Sequence, residues 1–246
     1  MQVAGNKRIY DQNTTWEFRD DNDNVKACYI PQIPIDENKM FAELVKLPFT
    51  RVYYISKYGK ANRTPRYTWA FGQVDPNKVE IVNYRALDFQ SEIMPPFLEE
   101  LSQLCRKISK QCWNFDPEYN SVIIGRYDNG DDQIGFHKDD QVFLEHNFCA
   151  NVTLGFSRDF QFKDDSKTVH EIKLGHKSLF FFLGLEHALP KRAGVKPGEI
   201  RYSISFRNMK NNIGIGNSFY YCRGLAGAVD NEKKREYEAK LLQENK

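Results

Sequence analysis

The hydrophobic residues of this chain follow a helical period in the first half and a strand period after about residue 118. In PPFLEELSQLCRKISKQC, apolar side chains recur every three or four positions, which places them on one face of a helix. The prolines that open this run suit a first helical turn. A shorter helix is predicted in IDENKMFAELVKL, where Asp36 can act as the N-cap.

The second half contains short runs of apolar and β-branched residues, separated by clusters of Gly, Asp, Asn and Lys. The runs are SVIIGRY, CANVTLGF, DFQFK, TVHEIKL, SLFFFLG and IRYSISF. Many short strands at this spacing are typical of a sandwich or barrel. We therefore predict a mainly β protein, in which a helix packs ahead of, and against, a mostly antiparallel double sheet.

Length and composition favour one soluble domain. The 246 residues contain no internal repeat and no long linker, and the charged segments RDDNDN and DNEKKREYEAKLLQENK are expected to be solvated ends. A net charge of only +2 means that any surface for a polyanion has to be local. Five scattered cysteines without CxxC spacing, and no signal-like or membrane-spanning apolar run, predict an intracellular protein of the cytoplasm or nucleus.

The stretch GRYDNGDDQIGFHKDD places His137 two positions before Asp139. Side chains two apart in a strand point to the same face, so this imidazole and this carboxylate can converge on one metal ion. The pair alone is weak, because ordinary composition produces one in about a third of such chains. Taken by itself, it favours a surface strand that ends in charge.

A third candidate ligand, His187, follows the apolar run FFFLGLE fifty residues after the first histidine. The phenylalanines at 180–182 are expected to roof its site. Two imidazoles and one carboxylate form the facial triad that holds non-haem Fe(II) and leaves three positions for a co-substrate and oxygen. His146 and His170 have no acid two positions on, and we expect them to be structural or solvated.

The run EIRYSISFR adds two arginines to one face of a strand. Arg201, Ser203, Ser205 and Arg207 alternate with residues that point the other way. Two arginines on a core-like strand are costly unless each meets an anion. Their α-carbons lie roughly 20 Å apart, and two inward-leaning arms can hold both ends of a short dicarboxylate. The alternative is a pair of exposed charges on an edge strand.

Together, NSVIIGRYDNGDDQIGFHKDD, LGLEHALP and GEIRYSISFR resemble the AlkB family of Fe(II)- and 2-oxoglutarate-dependent dioxygenases. The resemblance covers about residues 120–209, with a weaker match at TPRYTWAFG, residues 64–72. An HxD motif, a distal histidine and RxxxxxR in this order are far more specific than any one of them. The resemblance implies a double-stranded β-helix, or jelly-roll, with flanking helices and with iron at its mouth.

The resemblance also implies roles for individual residues. It places the Fe(II) ligands at His137, Asp139 and His187. Tyr127 and Arg207 would address the carboxylate end of 2-oxoglutarate near the metal, and Arg201 would bind the far carboxylate.

Two positions depart from the family pattern. Family members commonly carry asparagine where this chain has Gly125 and Ser203, and both asparagines would form hydrogen bonds with the co-substrate. Ser203 is retained as a candidate for co-substrate binding.

The resemblance divides a single domain over residues 1–246 into three parts. Residues 1–118 would form an N-terminal lid and supporting helices, 119–209 the jelly-roll core, and 210–246 a C-terminal extension. The implied reaction is oxidative dealkylation: 2-oxoglutarate and O2 are consumed, an N-alkyl carbon is hydroxylated, and the product loses an aldehyde.

Local charge favours a nucleic-acid substrate. The segment KYGKANRTPRYTW, residues 57–69, interleaves basic and aromatic residues, which suits phosphates and stacked bases. Its basic residues are Lys57, Lys60, Arg63 and Arg66. The segment PKRAGVKPGEIR adds further positive charge near the same mouth. The alternative for each segment is a solvated hairpin with buried aromatic residues.

A base stacked in a duplex cannot reach an iron inside a barrel, so it must be extruded or single-stranded. The resemblance implies that His137 covers one face of the base and an aromatic residue of the lid covers the other. Tyr67 and Trp69 share a strand face and are the candidates. Asp140 is expected to read a polar base edge. The alternative for Trp69 is burial in the core.

Three hypotheses remain open from the sequence. The first is dealkylation of N-alkylated bases in DNA or RNA, as in nucleic-acid repair. The second is a 2-oxoglutarate oxygenase that acts on a protein side chain. The third is a non-catalytic sheet protein that binds another metal or none. We expect no membrane partner and favour a monomer.

Overall fold

The computed structural model describes residues 2–4, 7–51, 53–55, 61–72, 81–84, 87–90, 92–139 and 144–209. Several predicted features lie outside these ranges: Asp140, Lys57, Lys60 and the C-terminal extension at 210–246.

Both predicted helices are confirmed. Helix α1 (Glu37–Leu44) begins after Asp36, whose side chain accepts a hydrogen bond from the backbone N–H of Lys39. Helix α2 (Pro96–Trp113) begins with proline at its first position. It ends at Asn114, which adopts the left-handed conformation with φ 50°.

All six runs that were predicted as strands are strands. The described strands are β1 (Gln2–Ala4), β2 (Lys7–Tyr10), β3 (Trp16–Arg19), β4 (Val25–Ile30), β5 (Tyr53–Ile55), β6 (Ala61–Arg63), β7 (Tyr67–Gly72), β8 (Ile81–Tyr84), β9 (Leu87–Gln90), β10 (Glu92–Ile93), β11 (Ser121–Tyr127), β12 (Ile134–His137), β13 (Leu144–Gly155), β14 (Arg158–Lys163), β15 (Val169–Leu174), β16 (Ser178–Leu183), β17 (Glu186–Leu189) and β18 (Arg201–Met209).

The strands form two large sheets, as a double-stranded β-helix requires. An eight-stranded sheet has the order β10-β7-β11-β18-β13-β16-β4-β3, and a six-stranded sheet has the order β1-β2-β15-β14-β17-β12. Two small hairpins, β5-β6 and β8-β9, complete the described strands. Most neighbouring strands are antiparallel, as predicted; β2 with β15 and β7 with β10 are parallel.

The first thirty residues are part of both sheets, which sequence analysis did not foresee. Strand β4 pairs with β16, and β2 pairs with β15. The segment RDDNDN is not a solvated end but closes the β3-β4 hairpin, where the Asp20 carboxylate accepts hydrogen bonds from the backbone N–H groups of Asn22 and Asn24. Turn-forming Asp and Asn explain this geometry, and their charge concealed it.

Two apolar cores lie on opposite faces of the eight-stranded sheet. One lies under α2 and includes Leu98, Ile124 and Phe181. The other includes Phe180 and Phe182 together with residues of the six-stranded sheet. Since side chains alternate along β16, the three phenylalanines cannot share one site, and the expectation that all of them roof His187 is wrong for Phe181.

No helix in the described part of the chain is long and apolar enough to cross a membrane.

The packing of α2 can be tested by truncating its most enclosed leucine. Leu98 is fully buried, so Leu98→Ala is expected to lower the free energy of unfolding by about 2–5 kcal/mol, because the change leaves a cavity. Chemical denaturation measures this loss. Gln103→Ala, on the exposed side of the same helix, should stay within about 0.5 kcal/mol of the wild type. Equal effects of the two changes would contradict the assigned helix face.

Candidate active site

A cavity lies between the two sheets at the level of β11, β12, β17 and β18. The eight-stranded sheet contributes side chains that include Tyr127, Asn151 and Ser203, and the six-stranded sheet contributes His137 and His187. The wall is mixed in character, because apolar side chains of β14, β16 and β17 alternate around these polar groups.

The cavity brings the three predicted metal ligands together. His137 and His187 are direct cross-strand partners on β12 and β17, with ring centroids 4.3 Å apart. Asp139 follows the end of β12 rather than lying within the strand, so the predicted strand ends two residues early. One ligand atom from each residue lies within 4.8 Å of the other two. Three such atoms can hold one metal ion and leave its other positions open.

Backbone hydrogen bonds fix the tautomer of both histidines. Nδ1 of His137 lies 2.9 Å from the carbonyl oxygen of Gly135, and Nδ1 of His187 lies 2.9 Å from that of Leu185. A carbonyl oxygen can only accept, so Nδ1 carries the proton in each ring. Nε2 is then the nitrogen that can bind a metal, and the carbonyl holds the ring in place.

Aromatic packing keeps His187 neutral. The histidine is buried, with the rings of Phe160 and Phe182 at 5.5 and 4.6 Å. Burial lowers the pKa of His187, and the charge of Asp139 opposes this only in part. Metal ligation needs a neutral imidazole, so the surroundings suit a ligand.

Asp139 is held ionised by Arg207. The guanidinium donates two hydrogen bonds to the carboxylate, from Nε at 2.9 Å and from Nη2 at 3.0 Å. Burial alone would raise the pKa of Asp139, but the charge of Arg207 and of the nearby histidines outweighs it, and the pKa lies well below its usual value. The carboxylate therefore offers a charged ligand, and Arg207 lies directly beside it.

Arg201 is buried with part of its hydrogen-bonding capacity unused. It is 1% exposed, and Nη2 donates to the hydroxyl of Thr153 at 3.0 Å. Nε and Nη1 have no partner among the described residues. Burial lowers the pKa of Arg201 to about 10, with a smaller effect of Arg158, so the group remains a cation at neutral pH. A buried cation with unused donors suits an anion such as a carboxylate.

Arg201 lies next to the cavity, against the ring of Tyr127. Its guanidinium carbon lies 5.3 Å from the centre of the Tyr127 ring, and the tyrosine lines the cavity while the arginine does not. The two residues are cross-strand neighbours on β11 and β18. The predicted co-substrate residues Tyr127, Ser203 and Arg207 thus line one cavity, and Arg201 lies directly behind it.

Two residues of this region, Asn151 and Arg158, were not predicted from the sequence. Asn151 lies in the middle of β13 and donates from Nδ2 to the hydroxyls of Ser203 and Ser205, each at 2.7 Å. The signal was a polar residue inside the apolar run CANVTLGF.

Arg158 holds the loop that precedes the HxD motif. It is fully buried and donates to the backbone carbonyls of Asn129, Asp132 and Pro190 at 3.1, 2.9 and 2.8 Å. These bonds tie the acidic loop to the segment after β17. The burial pattern of β14 places Arg158 on the inward face with Phe160 and Phe162, which its charge obscured in the sequence.

Among the predicted substrate residues Arg66, Tyr67 and Trp69, in or directly before β7, only Arg66 faces the cavity. Arg66 is buried and lines it, whereas Tyr67 and Trp69 do not. The Tyr67 ring lies against the guanidinium groups of Arg51 and Arg126, at 4.5 and 4.7 Å. Trp69 packs against the core under α2. The expectation that Tyr67 and Trp69 flank a base at the metal does not fit this arrangement, because their shared strand face is the opposite one.

Known proteins resemble this chain in sequence. A profile described as the 2OG-Fe(II) oxygenase superfamily matches residues 34–207. The chain is 27% identical over 170 residues to the protein named DNA oxidative demethylase ALKBH2 of Bos taurus, covering 63% of this chain and 57% of that protein. It is 28% identical over 124 residues to Uncharacterized protein R406 of Acanthamoeba polyphaga mimivirus, covering 48% and 63%. The chain thus spans less than two thirds of either relative.

A solved structure supports the fold. The structure of OsALKBH1 superposes with a TM-score of 0.53 at 14% identity, covering 79% of this chain and 100% of that chain. This likeness confirms the predicted jelly-roll. With the profile match over most of the chain, it follows that the protein belongs to the 2OG-Fe(II) oxygenase superfamily as an AlkB-like dioxygenase, whose family uses Fe(II), 2-oxoglutarate and O2.

Proposed function

We propose that this dioxygenase removes alkyl groups from N-alkylated bases in DNA or RNA, as in the repair of alkylated nucleic acid. The observation that carries the proposal is one cavity in which two imidazoles and an ionised carboxylate converge beside buried arginines. The similarity to a bovine protein named as a DNA oxidative demethylase gives the direction of the substrate assignment.

In this proposal His137, Asp139 and His187 hold Fe(II). When bound, Fe(II) and 2-oxoglutarate supply the oxidising chemistry, and the protein supplies orientation and a dry site. The carbonyls of Gly135 and Leu185 hold the two imidazoles with Nε2 towards the metal. The aromatic rings beside His187 exclude water from one side of the site.

Arg201 and Arg207 provide charge for the two ends of 2-oxoglutarate. Arg207 stays next to Asp139 and balances the negative charge that a metal-bound carboxylate adds. Arg201 has unused donors at the other end of the same strand face. Tyr127 and Ser203 line the cavity between them and offer hydroxyl groups to the co-substrate.

Arg66 is the substrate-contacting residue that we assign in the described part of the chain. It is buried and lines the same cavity as His137 and His187. Its guanidinium can pair with polar atoms on the edge of an extruded base. His137, which is only partly buried, offers a ring face for stacking.

A protein side chain is the second candidate substrate. One observation favours it: Tyr67 and Trp69 turn away from the cavity, so an aromatic partner for the second face of a base is missing from β7. An oxygenase that acts on a flexible side chain needs no such partner.

Removing the charge of Asp139 is the sharpest test of the metal site. Asp139→Asn keeps the shape of the side chain but removes the anionic ligand. Affinity for Mn(II), measured calorimetrically as a stand-in for Fe(II), should fall by more than the ~10–100-fold that changes outside the ligand shell cost. Succinate formation should fall to background.

Lys138→Ala is the matched control for this experiment. Lys138 lies between two of the assigned ligands, yet its side chain is exposed. It should bind metal like the wild type. Wild-type metal affinity in both Asp139→Asn and His187→Ala would remove the ligand assignment.

The substrate class can be tested with a panel of methylated DNA, methylated RNA and methylated peptides. Succinate and formaldehyde release should rise with an oligonucleotide and not with a peptide. Arg66→Ala should reduce oligonucleotide turnover by about ten- to a hundred-fold, the effect of losing a charge-assisted hydrogen bond. It should retain the slow conversion of 2-oxoglutarate without substrate.

Lys107→Ala is the charge-matched control, since Lys107 is exposed on α2. It should leave oligonucleotide turnover unchanged. Peptide turnover above oligonucleotide turnover would support the second candidate and contradict the first.

A further inference from the structure

Asn151 is a buried polar side chain in the wall of the cavity, and neither the metal site nor the arginine pair accounts for it. It is 4% exposed and lies on β13, directly opposite Ser205 of β18. Its Nδ2 donates to the hydroxyls of both Ser203 and Ser205. A polar amide at this depth requires partners for all of its hydrogen-bonding atoms.

The oxygen of the Asn151 amide has no such partner. Asn151 Oδ1 is buried and has no hydrogen-bond partner among the described residues. An amide group has nearly the same shape when it is turned by 180°, with oxygen and nitrogen exchanged. In the turned orientation Oδ1 accepts from both serine hydroxyls, because a hydroxyl can donate as well as accept. The NH2 group then occupies the unpaired position and becomes a donor for an anion.

The position of Asn151 matches the middle of a dicarboxylate held by the two arginines. Ser203 and Ser205 are the two residues between Arg201 and Arg207 on the cavity face of β18, and Asn151 contacts both. On the other side of β18, Ser203 is opposite Gly125, which has no side chain to offer. The asparagines that resemblance to the AlkB family leads one to expect at Gly125 and Ser203 are thus replaced by one amide from the neighbouring strand.

The space around Gly125 is consistent with an amide supplied by Asn151 rather than by a side chain at position 125. A Cβ added at Gly125 would lie 3.2 Å from the ring of Tyr127, which is closer than most such contacts. A side chain at 125 would therefore require the ring of Tyr127, which lines the cavity, to shift by a few tenths of an ångström.

We propose that Asn151 is a co-substrate-positioning residue, which turns its amide to donate to 2-oxoglutarate between Arg201 and Arg207. The inference rests on the proposed assignment of this cavity to 2-oxoglutarate. It does not depend on which substrate is oxidised.

The test is the affinity for 2-oxoglutarate of Mn(II)-loaded protein, measured calorimetrically without oxygen, so that no turnover is involved. Asn151→Ala should raise the dissociation constant by about ten- to a hundred-fold, as expected for a lost hydrogen bond to a charged group. Asn151→Asp has the same shape but no amide donors and carries a negative charge, and it should bind more weakly still. Mn(II) affinity should be unchanged in both variants.

A second substitution separates positioning from packing. Ser203→Asn in the Asn151→Ala background returns an amide to the space that the first change vacates, and it should restore much of the lost affinity. The same Ser203→Asn change beside an intact Asn151 should give no gain, because the space is filled. A role in packing alone would predict no such rescue.

The outcomes distinguish this inference from the proposed function. Failure of the wild-type protein to bind 2-oxoglutarate would overturn both the cavity assignment and the role of Asn151. Wild-type affinity in Asn151→Ala, with 2-oxoglutarate still bound, would overturn the role of Asn151 alone.

Discussion

The bidentate ion pair between Arg207 and Asp139 is the interaction on which the organisation of the site depends. It joins β18, an inner strand of the eight-stranded sheet, to the residues that follow β12 of the six-stranded sheet. A buried arginine without its carboxylate would be strongly unfavourable, and the same holds for the carboxylate without its arginine. The pair therefore links the two sheets at this point and holds the carboxylate beside the two imidazoles.

The two arginines of β18 differ in how far their positive charges are neutralised. This difference makes the two ends of the strand face unequal for an anion. Arg207 already has a full countercharge, whereas Arg201 has one hydroxyl and the face of an aromatic ring. Burial disfavours the charge of Arg201, but it remains a cation at neutral pH. The unused donors of this strand face therefore lie at its Arg201 end, behind Tyr127. In the proposed function, this asymmetry would orient 2-oxoglutarate with one carboxylate towards Arg201.

The alternation of side chains explains which parts of the site the sequence could predict. On β18 the arginines and serines lie at alternate positions, so the shared face of Arg201 and Arg207 follows from a period of two. The sequence predicted that His137 and His187 would lie close together, but not that they would be opposite each other on paired strands. Pairing between distant strands leaves no local signal in the sequence. On β7 the same period placed Tyr67 and Trp69 together correctly but could not say which face they share. A shift of one residue decides between the core and the cavity.

Pairing across strands also explains why Asn151 and the strands of the first thirty residues escaped prediction. A strand that joins the edge of a sheet needs only a short apolar run, and Val25–Ile30 is such a run beside a charged turn. Within the sheet, opposite side chains lie about 4.5–5.5 Å apart, so a hydrogen-bonding group for one position in a cavity can come from either neighbouring strand. A sequence motif describes consecutive residues of one strand, so it does not include a side chain that the neighbouring strand contributes. Gly125 and Ser203 look like losses when each strand is read alone, whereas in the sheet both line the cavity that the Asn151 amide also lines.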